Sequence, residues 1–411
     1  MSQEHHNLIV EKSKNIEIRR FDDTEDYIII NSELGSRIIV NQKTMNVLNL
    51  IDNNTKLIDI VTKYNEENPS SNIDVPTAHF LLYDKLAKQG VIVNKNLVVK
   101  KKEIASYLSL SFTLVNKKAL NFFIKLISPF ISFKHFYKIL FIALAVVLWT
   151  VVPNFSKLTE AIDHITIGQW VVYILISGAI LFLHEFGHAS ACKKLGAEPG
   201  NIGFGFYLLS PVMFADVSDI WKLNNRERNY VNFAGLYIEL LLALVLSLFY
   251  HFIKPDISIL IINCFILFSF FLNLNPFLRY DGYWILSDSI KTPNLRRVSM
   301  QKLNAFIGSI FNRNKFSFTG KDTFLVIYAF ISVIAIFLFL AYIIFRDPNS
   351  LFSFPLDAYT YVKQLINSKT FFRLSDLTRF ILPCLFYIIL GKFILGYAGR
   401  FLRKQKPVKT A

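Results

Sequence analysis

Six long apolar runs constrain this chain more than any other feature: Tyr137–Val152, Trp170–Ala191, Tyr230–Tyr250, Ile257–Leu274, Phe324–Phe345 and Phe380–Ala398. Most approach the ~20 residues an α-helix needs to cross the hydrocarbon core of a bilayer. A helix that is apolar on every side has no face to offer water, so it belongs in a large core or in lipid. Composition favours lipid. Only 18% of the residues are charged and 53% are hydrophobic, whereas soluble domains carry about 25% charged residues. The expected fold is a polytopic α-helical membrane protein with about six transmembrane helices.

The excess of bases is distributed in a way that orients these spans. Lys and Arg outnumber Asp and Glu by 45 to 30, a formal charge of +15. They cluster in segments flanking the apolar runs, a positive-inside pattern rather than a nucleic-acid patch, and no nucleic-acid partner is expected. Cys192–Asn229, Asn275–Thr323 and the tail 399–411 are basic, while Pro153–Gln169 and His251–Asp256 hold one Lys each. Placing the basic loops inside puts both termini in the cytoplasm of a multi-pass cell-membrane protein. The loop Arg346–Arg379 would then face outward, although it carries several bases of its own. Met1–Asn15 is mostly polar, so no signal peptide is expected there. Cys192, Cys264 and Cys384 lie in or beside apolar runs without repeating spacing and read as small buried hydrophobes.

Residues 1–110 read as a small cytoplasmic α+β domain. Ile16–Arg20, Tyr27–Ile30 and Arg37–Val40 are strand-like, and Gln42–Ile51, Leu57–Tyr64 and Val75–Gln89 are helical by period. Gly90 is placed to cap the last helix before a strand at Val91–Val93. Three strands, three helices and a final strand describe a winged-helix-like fold. The helices mix acids and bases without a basic stripe, which argues against a DNA reader. Residues 111–136 form a linker whose segment Phe122–Phe133, broken by Lys125, is expected to lie at the membrane interface. The membrane domain then covers 137–398, with its core at 170–288.

Polar residues stand out against this apolar background. Leu183-His184-Glu185-Phe186-Gly187-His188 closes the second run. His184 and His188, four residues apart, project from one face of a helix. Two imidazoles at that spacing can hold Zn²⁺ with positions left for a third ligand and a water, and Glu185 is placed to take a proton from that water. Charged groups inside a span are costly, so Glu185 between two His is hard to explain by packing. The fourth run breaks at Asn275-Pro276, and Asp281 follows on the cytoplasmic side with Gly282 to relax the backbone. Asp281 is thus the candidate third ligand of a single zinc ion. Glu239, within the third run, could support the metal ligands or simply bond a neighbouring helix. Asn201–Asp219 alternates Gly203 and Gly205 with Phe204 and Phe206 and carries a Ser-Pro turn, the pattern of a hairpin whose edge could hold an extended substrate.

Two resemblances follow from these residues. His184-Glu185-Phe186-Gly187-His188 with Asn273-x-x-Pro276-x-x-x-x-Asp281-Gly282 resembles the site-2 protease family of intramembrane zinc metallopeptidases. The resemblance implies His184, His188 and Asp281 as zinc ligands, Glu185 as the base and Asn273 as a substrate or oxyanion contact, though Asn273 could equally cap the broken helix. Leu278 and Tyr280 stand where that family usually has Pro and Leu, which affects the local turn and specificity. The stretch from Asp22 to Asp52, with Phe80–Val93, resembles the PqqD-like domains that recognise leader peptides of ribosomally made natural products. That implies pairing of a peptide strand along the sheet edge. Together they are similar to the peptide zinc metalloproteases of bacterial peptide-export loci. The expected partners are then a peptide precursor, the lipid bilayer, a modifying enzyme and an exporter. Cleavage of a membrane-bound regulator is the alternative within the enzyme class. A transport or immunity partner with structural zinc is the alternative outside it, and an intact Glu185 argues against that because a structural site needs no base.

Overall fold

The computed structural model describes residues 8–22, 24–31, 33–94, 108–162, 164–207, 210–312 and 319–346, with Ser353, Leu356, Tyr359, Thr360, Lys363, Tyr387 and Gly391. The described residues divide into two compact units. One is drawn from Met1–Tyr107, Thr113–Gly203 and Met213–Phe270, the other from Leu108–Phe112, Phe204–Val212 and Phe271–Ala411.

The first unit begins with an antiparallel meander, β1 (Ile16–Arg20), β2 (Tyr27–Asn31) and β3 (Ser36–Val40), in the order β1-β2-β3. Ile29 pairs with Ile18 on one side and Ile38 on the other. Its neighbours Ile28 and Ile30 point to the opposite face, where they meet Phe21, Ile39 and Trp221. β2 is therefore apolar throughout because both its faces are covered. Three helical segments close the inner face: α1 (Gln42–Asn49), α2 (Leu57–Glu67) and α3 (Val75–His79), whose path continues through a wide turn, Phe80–Leu86, and a tight one, Ala87–Gln89. Gly90 stops it in the left-handed region at φ +68°, and a Cβ there would also strike Leu34. The expected strand Val91–Val93 is smaller than its sequence suggests. It makes two backbone bonds with Glu11–Ser13 and a single bridge between Lys12 and Ile92.

α3 starts at Asp74, whose side chain accepts from the Thr77 amide at 3.0 Å. Its bonds from the Thr77 side chain and backbone hold the Asp74 carboxyl below its ordinary value. A carboxyl whose folded pKa is depressed contributes stability above its unfolded value, about 3.9, and loses it as pH falls through the lower folded value. Asn caps as well as Asp but does not titrate. The variant Asp74→Asn is therefore expected to lose less melting temperature than the wild type on acidification below about pH 4, as read by thermal circular dichroism.

Among the described residues, four helical stretches are long and apolar enough to cross a membrane: Phe136–Ile162, Gly168–Lys194, Asn225–Phe252 and Gly320–Leu338. They mark the chain as a membrane protein. The first joins α5 (Phe136–Val151) to α6 (Phe155–Ile162) through a single tight turn, so it runs longer than the apolar stretch alone. The others lie in α7 (Ile167–Lys194), α8 (Asn225–Phe252) and α12 (Gly320–Arg346). The fourth apolar run forms α9 (Ile257–Asn273), whose 17 residues make it a shorter helix. The sixth run, the loop after Arg346 and the basic tail lie almost wholly outside the described residues.

Thr166 and Gln169 form a capping box that starts α7, and Asn224 and Glu227 form one that starts α8. α7 and α8 pack closely because Gly187 faces the backbone of α8, where an added Cβ would lie 2.6 Å from the Ala234 carbonyl oxygen. α4 (Lys117–Ile127) is amphipathic, but it buries Leu120, Ile124 and Ile127 against protein, and Phe123 stacks on Phe186 of α7 at 4.3 Å. Ahead of it, β4 (Ser109–Val115) is a strand absent from the sequence expectations. It joins β5 (Ile202–Tyr207) and β6 (Ser210–Ala215), the expected hairpin, in the order β4-β5-β6.

In the second unit, α10 (Asp281–Ser289) and α11 (Leu295–Asn312) precede α12. Tyr283, Leu295, Leu325 and Tyr328 form its core, with Phe277 stacked on Tyr328.

Candidate metal centre

α7 carries His184, Glu185 and His188 on its last apolar turns, all three buried (3%, 9% and 6% exposed). Both imidazoles turn their Nε2 atoms towards each other, 3.0 Å apart. Their other nitrogens are held by α8. His188 Nδ1 donates to the Val231 carbonyl at 2.7 Å, and His184 Nδ1 lies 3.2 Å from Glu239 Oε1. A carbonyl can only accept, so the proton of His188 sits on Nδ1 and the lone pair on Nε2.

Two ring nitrogens 3.0 Å apart share either a proton or a cation. Zn–N bonds of about 2.05 Å at a tetrahedral angle would separate two nitrogens by about 3.3 Å, close to the spacing observed. The opposite wall leaves the same room. A Cβ on Gly235 would fall 2.4 Å from His184 Nε2 and 2.5 Å from His188 Nε2. Only glycine lets α8 approach while keeping this space clear. The imidazole pair fits a zinc ion.

Glu239 is fully buried and accepts from Ser269 Oγ at 3.0 Å. Its Oε1 thus has an imidazole of α7 on one side and the Ser269 hydroxyl of α9 on the other. Outer partners that orient a metal-binding His are worth about 10–100-fold in metal affinity or activity. Glu239→Gln is expected to weaken zinc binding within that range, measured by competition with a zinc-chelating dye.

His184, Glu185, His188 and Glu239 thus come together in the first unit. Asn273 and Asp281 belong to the second. Asn273 is the last residue of α9 and Asp281 the first of α10, both partly exposed. The chain between them turns as expected, with Phe277 N donating to Asn275 Oδ1 at 2.9 Å. Gly282 plays a different part from the one its sequence suggests. It is helical and buried, and a Cβ on it would lie 2.1 Å from the Leu274 carbonyl oxygen. Close approach, not a relaxed backbone, requires glycine there. Burial pushes the Tyr280 hydroxyl above its ordinary pKa, with Tyr207 nearby adding to the effect.

Val231 escapes sequence reasoning, because a backbone carbonyl leaves no mark in side-chain pattern. Gly235 escapes it too, since its signal is a lone glycine in the middle of an apolar helix.

Half of the chain aligns with a named relative. Over 206 residues, 48% of this chain and 79% of the relative, it is 30% identical to a Bacillus subtilis (strain 168) protein called "Putative peptide zinc metalloprotease protein YydH". The chain belongs to this zinc metalloprotease family. The imidazole pair of α7 is consistent with that membership. No family model matches the chain. No solved structure matches it.

Proposed function

We propose that the chain is a site-2-protease-like zinc endopeptidase embedded in the cell membrane, which trims a ribosomally made peptide precursor near the cytoplasmic face. The observation that carries this reading is the facing pair of Nε2 atoms, 3.0 Å apart, inside a helix apolar and long enough to cross a bilayer. His184, His188 and Asp281 offer two imidazole nitrogens and one carboxylate oxygen, the donor set of a hydrolytic zinc site with an open position. One zinc per chain is expected.

When bound, zinc polarises the scissile carbonyl and acidifies water. Glu185 takes the proton of the attacking water and passes it to the leaving amine. Val231 and Glu239 hold the two imidazoles in the tautomer that presents Nε2. Asn273 donates from its amide to the developing oxyanion. A helical substrate hides its carbonyls, so the peptide enters extended, and the β4-β5-β6 sheet offers an edge for it.

The domain plan supports the same reading. Residues 1–110, as a PqqD-like module, capture the leader. Residues 111–136 link it to the membrane domain 137–398, which crosses six times and leaves both termini and the basic tail 399–411 in the cytoplasm. A modifying enzyme and an exporter would act on the same peptide. The test is to incubate the purified full chain with a candidate precursor, with and without a chelator, and identify the cut bond by mass. Chelator-sensitive cleavage at one bond supports the proposal, and unchanged precursor in the zinc-loaded sample counts against it.

A further inference from the structure

We infer that Asp22 and Arg228 are positioning residues for the zinc-binding imidazoles: their buried ion pair clamps the N-terminal module to the first turns of α8 and fixes that helix against α7. The inference rests on the reading of His184 and His188 as zinc ligands.

Arg228 is among the largest fully buried side chains, at 1% exposure. Its guanidinium grips the Asp22 carboxylate with both forks, Nη2 to Oδ2 at 2.9 Å and Nη1 to Oδ1 at 3.2 Å. Nη1 also donates to the Leu223 carbonyl at 2.9 Å. The rings of Phe21 and Trp221 flank it at 5.1 and 5.5 Å. The outer face of the module's sheet, Ile28, Ile30 and Ile39, packs around the same Phe21 and Trp221. Burial lowers the Arg37 pKa, and the charges of Asp216 and Asp219 work against that shift.

Two features argue that the pair does more than add stability. A buried ion pair is often no more stabilising than an apolar pair of the same shape, because both charges must leave water. Asp22 also sits at φ +52°, a left-handed conformation that non-glycine residues adopt at some strain. Both costs place one guanidinium at one point on α8.

That point lies in line with the metal centre. Arg228, Val231, Gly235 and Glu239 follow one another at helical spacing, so they share one face of α8. Eleven residues span about 16 Å along a helix. Each of the last three meets an imidazole: Val231 at His188, Gly235 opposite both rings, Glu239 at His184. A helix is stiff over this distance, so a slip or rotation at Arg228 moves all three contacts together. An imidazole site displaced by about 1 Å can lose on the order of 10²-fold in rate.

The test uses the full chain and two variants. Asp22→Asn/Arg228→Met removes both charges at nearly the same volume, so no charge is stranded in the core, and Asn tolerates the left-handed backbone of position 22. Arg228→Lys keeps the charge and loses the fork, and serves should the double variant fold poorly. With Co²⁺ in place of zinc, the wild type is expected to show a visible ligand-field band that His188→Ala removes. Either clamp variant is expected to shift that band, to lower kcat by about 10–100-fold with KM for a short peptide unchanged, and to speed hydrogen exchange of α8 amides 228–239 in the metal-free chain. A wild type without the band overturns the zinc reading and this inference with it. A normal wild-type band together with unchanged band, kcat and exchange in a folded variant overturns the clamp alone, as does a change confined to KM.

Discussion

Glu185→Gln is expected to leave zinc bound at wild-type stoichiometry and to lower precursor cleavage by about 10²–10⁴-fold, the usual contribution of a positioned general base. Glutamine keeps the shape and the hydrogen-bonding reach of the side chain but cannot accept the proton of the attacking water. The residue is buried beside His184, and it is not one of the proposed ligands, so zinc retention and loss of cleavage should separate cleanly. Metal analysis and a mass-resolved cleavage assay on the same preparation measure both. Cleavage at the wild-type rate would remove Glu185 from its proposed role. Loss of zinc together with activity would make it a ligand or a support instead.

Gly235→Ala is expected to be the most damaging of the small substitutions for metal binding. The added methyl would stand 2.4 Å from His184 Nε2 and 2.5 Å from His188 Nε2, well inside van der Waals contact and at the donor atoms themselves. Relief requires the rings to turn, which breaks the 2.7 Å bond from His188 Nδ1 to Val231, or requires α8 to retreat from α7. Retreat is opposed by packing at Gly187, which lies against Ala234 and Ile238. Zinc affinity should fall by at least the 10–100-fold that follows loss of one orienting partner. Melting in the metal-free state should fall as well, because the methyl meets two buried imidazoles whether or not the ion is bound. Dye competition and a thermal melt of the metal-free chain measure the two effects. An alanine variant that binds zinc normally would mean that the space beside Gly235 is not where the ion sits.

Much of the module and the α7 motif is legible in the residues alone. The module's strands lie within a residue or so of their expected bounds, because the isoleucine run Ile28–Ile30 is bracketed by Asp22 and Gly35. The α7 motif is legible because polar groups are rare inside apolar helices and their spacing has one reading. What escapes depends on partners distant in sequence. β4 alternates Ser109, Leu110, Ser111 and Phe112 in a strand's pattern, but lies just after a basic stretch that draws attention to lipid. Val91–Val93 looks like a strand, yet the segment that pairs with it is short, so their pairing stops at two backbone bonds and one bridge. α11 carries Leu295, Val298, Leu303 and Phe306 at helical spacing, and its apolar face is half hidden among bases. The clamp is the least legible feature. Asp22 and Arg228 are 206 positions apart, and neither residue type suggests the other.

The role of α4 changes the picture of the linker most. This helix supports the one that carries the imidazoles through Phe123 on Phe186, and just after it the Ser128 and Ile131 carbonyls accept from Lys194 Nζ at 3.0 and 2.8 Å. With α8 held by the module on one side and α7 by α4 on the other, both walls of the imidazole pair are fixed from outside the apolar runs. This is the stiffness that a site for a metal and a proton transfer needs, since small displacements of oriented groups cost rate steeply.

The most direct test of the central claim is the zinc content of the purified full chain beside that of a His184→Ala/His188→Ala double variant, both loaded and washed identically. The account predicts one zinc per wild-type chain and none in the double variant, with both proteins retaining their helical circular dichroism. Stoichiometric zinc in a folded double variant, or none in the wild type, would contradict it.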